Sequence, residues 1–224
     1  QNLTAYLDTT GFVQIAASMI NNGSFDNCAV DTIFHSMCDF YCENVGPNTV
    51  TLTVVDPSGN TSTCTSLVTV IDSLAPGELC QDATVYLNAS GLGSITTGNV
   101  VDLNADDYDR DNCGVAYVIS DSLFNCADVG QNTVVVTATD VNGNTSTCTS
   151  IVTVIDSIDP VAICQDVTVQ LDATGNGSTS ASAVDNGSND ACGIQSLVLS
   201  QTAFICSEVG ANTETLTVTD VNGN

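Results

Sequence analysis

The stretch DYDRDNCG, residues 107–114, is the densest acidic cluster in the chain, with Asp102 and Asp106 just before it. Asp107, Asp109 and Asp111 alternate as the opening ligands of a calcium loop do, because a hard divalent cation is held by about six to eight oxygens. The EF-hand pattern would next require Gly at its sixth position and Glu at its twelfth, where Asn112 and Val118 stand. The cluster is therefore read as oxygen ligation outside an EF-hand, since so many carboxylates close together repel unless neutralised. Asp72 and Asp140 are candidate companions of this cluster, and Asp156, Asp190 and Asp220 form a corresponding later set, with Asp185 nearby. Turn aspartates also cap their own backbone, and for Asp140 that reading stands beside the cation reading.

Eleven cysteines with no CxxC pair and a single histidine do not resemble a zinc site. Disulfides in an oxidising compartment are the better reading, which makes the protein extracellular. Nucleophilic catalysis finds little support. His35 lies near Cys38, but no orienting partner or oxyanion feature can be read, and the chain is expected not to be an enzyme. One Lys or Arg against a formal charge of −25 excludes a phosphate-binding surface, so no nucleic acid is expected as a partner. No segment has the roughly 18 consecutive apolar residues of a membrane span.

The elements that must position these residues come in three copies. LTAYLDTTG (3–11), ATVYLNASG (83–91) and VTVQLDATG (167–175) align, as do FYCENVGPNT (40–49), FNCADVGQNT (124–133) and FICSEVGANT (204–213). The junctions VIDSLAPGELCQD (70–82) and VIDSIDPVAICQD (154–166) place boundaries near Ser73 and Ser157, giving repeats at 1–73, 74–157 and 158–224. Val167, Val169 and Leu171 alternate with Thr168 and Gln170, and Val134, Val136 and Ala138 do the same, which marks half-buried strands. Gly and Asn clusters interrupt the strands about every 8 to 12 residues, the habit of a β-sandwich with Greek-key connections. Asp140, Gly143 and Asn144 describe a hairpin in which Gly143 supplies positive φ.

DNC (111–113), the VG-x-NT…TD core (129–140), GNTSTC (143–148) and the Asp-x-x-x-Pro junctions resemble the HYR-type, immunoglobulin-like repeats found in tandem in bacterial surface and secreted proteins. The resemblance covers essentially the whole chain. It implies an all-β fold of three tandem immunoglobulin-like sandwiches, disulfide-stapled, and use as an extender of an adhesin or surface fibre. Asp31-Thr32-Ile33, Asp72-Ser73-Leu74, Asp121-Ser122-Leu123 and Asp156-Ser157-Ile158 resemble the acceptor of a bacterial general O-glycosylation system, which makes Thr32, Ser73, Ser122 and Ser157 candidate glycan sites.

Cys28 and Cys42, Cys113 and Cys126, and Cys192 and Cys206 share nearly one separation, and each pair is expected to close a loop around a short strand and its return. Such a loop stabilises by about 3 kcal/mol in the chain-entropy model. In an immunoglobulin-like sandwich the first and last strands can lie parallel and adjacent, so Cys80 is expected to bond Cys148. The rival pairing across the junctions, Cys64 with Cys80 and Cys148 with Cys164, has to overcome about 26 Å of extended chain at 3.3 Å per residue, whereas a disulfide needs Cα atoms within about 7 Å. Only a sharp reversal at Pro76 would rescue it. Cys38, Cys64 and Cys164 are left without partners.

Because strands alternate direction, the loop before Cys113, the hairpin at Asp140 and the junction at Asp72 should gather at one pole of the middle repeat, where Ca²⁺ is the expected ligand. The third repeat ends before its last strand, so its completion by another copy or by continuing repeats, end to end, is expected. These readings favour a structural shaft at the bacterial cell surface over the alternative, a carbohydrate- or ligand-binding accessory module. A binding module needs aromatic platforms gathered in one repeat, and Tyr and Phe are scattered.

Overall fold

The computed structural model describes residues 1–77, 79–102 and 113–224. The first repeat shows how the alternation works. Strands β1 (Leu3–Tyr6) and β2 (Phe12–Gln14) are followed by a single helical turn, α1 (Ala17–Ile20), then β3 (Thr32–His35), β4 (Asp39–Tyr41), β5 (Gly46–Val55) and β6 (Thr61–Ile71). One sheet has the order β1-β6-β5-β3 and the other pairs β2 with β4. The two faces enclose Ala5, Leu7, Ile15, Ile20, Phe40, Val50, Leu52, Val68 and Val70. Val50 and Leu52 of β5 and Val68 and Val70 of β6 enter that core at alternate positions, as the pleat requires. Burial of a Val, Leu or Ile side chain stabilises by about 1.5–3 kcal/mol.

Strand β1 runs parallel to β6, with Leu3 opposite Val68 and Tyr6 opposite Ile71, while β3, β5 and β6 pair antiparallel. The middle repeat repeats this plan. It has β7 (Ala83–Tyr86), β8 (Leu92–Ser94), α2 (Thr97–Val100), β9 (Val115–Ile119), β10 (Leu123–Asn125), β11 (Gly130–Asp140) and β12 (Thr145–Ile155). Its sheets have the orders β7-β12-β11-β9 and β10-β8, and β7 is again parallel to the last strand, with Ala83 opposite Val152. The architecture is all-β, immunoglobulin-like and sandwiched, with disulfides.

In the third repeat only part of this forms: β13 (Asn176–Ser178), α3 (Ala181–Val184), β14 (Ile194–Leu199), β15 (Ala203–Ile205) and β16 (Leu216–Asp220). Residues 167–171 carry the same alternation as β1 and β7, yet they are not a strand. Their counterparts Ala5 and Val85 are buried, whereas Val169 is half-buried and Val167 exposed. A strand needs a hydrogen-bonding neighbour, and among the described residues no strand pairs alongside residues 167–171. An open groove of about 740 Å³ lies there, lined by Val167, Val169, Leu171, Val184, Leu199 and Phe204 among others.

By packing, the chain divides into two compact units, one of residues 1–81, 100–120 and 135–149, the other of residues 82–99, 121–134 and 150–224. The division runs through the middle sequence repeat, so packing units and sequence repeats are different partitions of the chain.

Candidate functional site: the carboxylate and cysteine seams

The chemistry-bearing residues collect where one repeat hands over to the next, and the same arrangement is built once in each unit. It starts with a turn. In the hairpin Asp140–Asn144, Oδ1 of Asp140 accepts the backbone N–H groups of Asn142 and Asn144, both at 2.8 Å, and Oδ2 accepts the Asn144 side-chain amide at 2.7 Å. Gly143 takes φ 92° at the tip. Asp140 is thus a turn cap whose two oxygens already accept three donors. The hairpin then reaches outward to the junction. The Asn142 amide donates to Asp72 Oδ2 at 2.7 Å, and the Asn144 amide donates to the Asp72 carbonyl at 3.3 Å.

The second seam copies the first. Asp220 Oδ1 accepts the N–H groups of Asn222 and Asn224, at 2.9 and 2.8 Å, and Oδ2 accepts the Asn224 amide at 2.9 Å. The Asn222 amide donates to Asp156 Oδ2 at 2.7 Å, and that of Asn224 to the Asp156 carbonyl at 3.2 Å. All four of these aspartates are buried. Two buried carboxylates side by side would be costly, and the shared asparagine amides are what neutral donors can supply in place of a cation. Burial pushes the Asp220 carboxyl up, but the Asn224 amide and the turn's N–H groups outweigh it and hold the group below the usual carboxylate range.

Disulfides close the same seams. Cys42 is bonded to Cys113 (Cα–Cα 5.2 Å) and Cys126 to Cys192 (5.1 Å), each joining one repeat to the next, while Cys80 is bonded to Cys148 (5.9 Å) within the middle repeat. The pairings Cys28–Cys42, Cys113–Cys126 and Cys192–Cys206 expected from spacing are not formed, and strand direction explains why. Thr32 at the start of β3 faces Val55 at the end of β5, whereas Cys42 opens the short 3-10 turn Cys42–Asn44 that leads into the start of β5. The chain leaves one pole at Cys28, runs along β3, crosses to the other sheet and continues through β4 to the opposite pole. There is no return strand, and the two poles lie at opposite ends of β5, whose 10 residues rise about 3.3 Å each. Cys113 to Cys126 and Cys192 to Cys206 follow the same course through β9 and β10, and through β14 and β15.

Among the cation candidates, the structure brings Asp156 and Asp190 together. Their carboxylate oxygens and Cys192 Sγ lie within 4.8 Å of one another. That sulfur is committed to Cys126, so only the carboxylates are available as hard ligands. Asp190 Oδ1 also accepts the Cys192 N–H at 2.7 Å, which fixes the loop. Asp107, Asp109 and Asp111 lie outside the described residues. Ser73, Ser157 and Thr32 are exposed and Ser122 is half-buried. The residues that sequence reasoning missed are Asn142, Asn144, Asn222 and Asn224. The repetition of Asp-x-Asn-Gly-Asn was visible, but a turn motif alone gives no sign of what its outer amides will grip.

No family model matches this chain, and no curated protein is similar to it. Among solved structures, it is similar to the first three extracellular domains of mouse clustered protocadherin PcdhgC3, at 13% identity over 69% of this chain and 66% of that one, with a TM-score of 0.30. The protocadherin gamma B4 extracellular domain gives 16% identity over 100% of this chain and 43% of that one, TM-score 0.33. The first two extracellular domains of human protocadherin-24 give 15% over 69% and 95%, TM-score 0.33. The chain therefore spans less than two thirds of the first two. TM-scores this low establish neither a shared family nor a shared activity.

Proposed function

We propose that this chain is a structural segment of an extracellular shaft, built from tandem immunoglobulin-like repeats laid end to end and exposed at a bacterial cell surface, as the resemblance to HYR-type repeats implies. One observation carries this reading: the same seam, a disulfide plus an aspartate latched by two asparagines, is built twice, at Asp72 and at Asp156. A shaft distributes its features equally over its repeats, whereas a binding module concentrates them in one. Three disulfides suit an oxidising compartment. The groove beside residues 167–171 fits completion by a β-strand from continuing repeats or another copy. Exposed Ser73, Ser157 and Thr32 remain the candidate glycan acceptors, with Ser122 less accessible.

The test is immunogold labelling of intact cells with antibodies to the chain. Label along unbranched fibres supports the shaft. Label confined to a secreted soluble fraction, together with glycan binding that a single aromatic substitution abolishes, overturns it. Ca²⁺ at the Asp156–Asp190 pair would stiffen the seam without being needed for the sandwich fold. Chelation should then raise bending in solution scattering while the sheet circular-dichroism signal persists, and Asp190→Asn should remove the response. If chelation changes neither signal, Asp156 and Asp190 are simple capping residues.

A further inference from the structure

The amide that latches each seam stands immediately before a glycine: Asn142 precedes Gly143, and Asn222 precedes Gly223. The turn dictates that neighbour. Gly143 has φ 92° and Gly223 φ 94°, a conformation that L side chains rarely adopt. A Cβ at either position would meet nothing within 4 Å, so the backbone angle and not crowding calls for glycine there. The same openness leaves the glycine nitrogen uncovered and loosely held. The Gly143 N–H donates to the Asp140 carbonyl at 3.4 Å and that of Gly223 to the Asp220 carbonyl at 3.4 Å, both long for such a bond.

The hairpin itself does not need this amide. In the first repeat Ser58 stands at that position, and Asp56 still caps its turn through Asn60. What the amide does is donate, at 2.7 Å, from Asn142 to Asp72 Oδ2 and from Asn222 to Asp156 Oδ2. Asp72 and Asp156 are buried. A carboxylate at residue 142 would set an acceptor against an acceptor, out of water and at hydrogen-bond distance, and the two charges would repel.

We infer that Asn142 and Asn222 are self-modification sites, where deamidation turns the neutral latch of each seam into a pair of like charges and releases the junction aspartate. The step needs only water. The backbone nitrogen of Gly143 attacks Cγ of Asn142, the Cγ–Nδ2 bond breaks, and the side-chain nitrogen takes up the Gly143 amide proton and leaves as ammonia. Water then adds to either carbonyl of the resulting succinimide and breaks its bond to the Gly143 nitrogen, which regains a proton. The product is aspartate, or isoaspartate in which the chain runs through the side-chain carbon. One water is consumed and one ammonia released, and nothing is oxidised or reduced. At Asn222 the Gly223 nitrogen does the same. Each seam thus loosens as the molecule ages.

The experiment ages the full chain, with its disulfides intact, in mildly alkaline buffer and follows it by peptide mass mapping and hydrogen exchange. The exposed pairs Asn22-Gly23 and Asn186-Gly187 give the unlatched rate in the same digests. The expected result is aspartate and isoaspartate in place of Asn142 and Asn222, accumulating later than at Asn22 and Asn186. Gly143→Ala should slow conversion of Asn142 by at least about tenfold, about 1.4 kcal/mol of barrier, while Asn222 converts as before. The Leu74 N–H, which donates to Asp72 Oδ1 at 3.1 Å, should exchange at least about tenfold faster in converted molecules. Asn142→Asp should reproduce that gain without ageing, and Asn142→Ser, which removes the amide without adding charge, should give a smaller one. If the Asp variant does not fold, the aged chain supplies the same readout. Asn142 and Asn222 that keep their amides after Asn22 and Asn186 have converted fully, or conversion that leaves Leu74 exchange unchanged, would overturn the inference.

Discussion

At the scale of single residues, the first repeat departs from its siblings at the loop after its DNC cysteine. Ala29 has φ 121°, a region that favours glycine, and its counterparts Gly114 and Gly193 have φ 92° and 102°. A non-glycine residue held there costs about 1–3 kcal/mol, partly offset by the greater unfolded-state entropy of glycine. Ala29→Gly should therefore stabilise the chain by about 1 kcal/mol, and Gly193→Ala should destabilise it by a similar amount. Thermal or denaturant midpoints check both, and a lower midpoint for Ala29→Gly would refute the account. The departure was readable as a letter change, Cys-Ala against Cys-Gly, but its meaning was not, because the sequence does not show the sign of φ. The same repeat has Ser58 where the later hairpins have Asn142 and Asn222. Asp56 still caps its turn through Asn60, but Ser58 lacks the amide with which the other hairpins hold a junction aspartate.

At the scale of elements, the period-two alternation identified the strands, and the parallel neighbourhood of first and last strands brought Cys80 within reach of Cys148. The seam disulfides were not legible from spacing, because a separation of residues does not tell whether the chain turns back. It does not turn back between Cys28 and Cys42: β3 and β4 carry it in one direction across two sheets. Residues 167–171 teach a related lesson. Their alternation matches that of β7, but only a neighbour supplying hydrogen bonds turns such a pattern into a strand. Hydrogen exchange should separate the two. Amides of residues 167–171 should exchange rapidly, whereas that of Leu87, which donates to the Ile155 carbonyl at 2.9 Å, should be protected. A peptide with the sequence of residues 145–155 should slow exchange at residues 167–171 by at least about tenfold, equivalent to about 1.4 kcal/mol of pairing. Protection of residues 167–171 without the peptide, or no effect when it is added, would count against strand completion.

At the scale of the whole molecule, the net charge of −25 opposes compaction. Raising the salt from about 0.01 M to about 1 M shortens the Debye length from about 30 Å to about 3 Å, so the thermal midpoint at neutral pH should rise. Acid acts in two stages. Toward the isoelectric point near 4.1 the repulsion falls and the midpoint should hold or rise. The Asn60 amide and the turn's N–H groups hold Asp56 below its ordinary value, and Asp220 is also lowered because its donors outweigh its burial. Such carboxylates stabilise the fold above their unfolded value of about 3.9, and that contribution is lost as the pH falls through their lower folded values. The midpoint should accordingly drop at the most acid pH, and salt should not restore it. Calorimetry across this range checks both stages, and a steady decline from neutral pH down to 4.1 would contradict the first.

The three disulfides also interlock along the chain. The loops Cys42–Cys113, Cys80–Cys148 and Cys126–Cys192 overlap, because Cys80 lies inside the first and Cys126 inside the second. Every peptide bond from Cys42 to Cys192 is therefore spanned by at least one sulfur bridge. A protease that cuts once anywhere in that interval produces two fragments that remain a single molecule, and the molecule parts only after a second, suitably placed cut or a reductant.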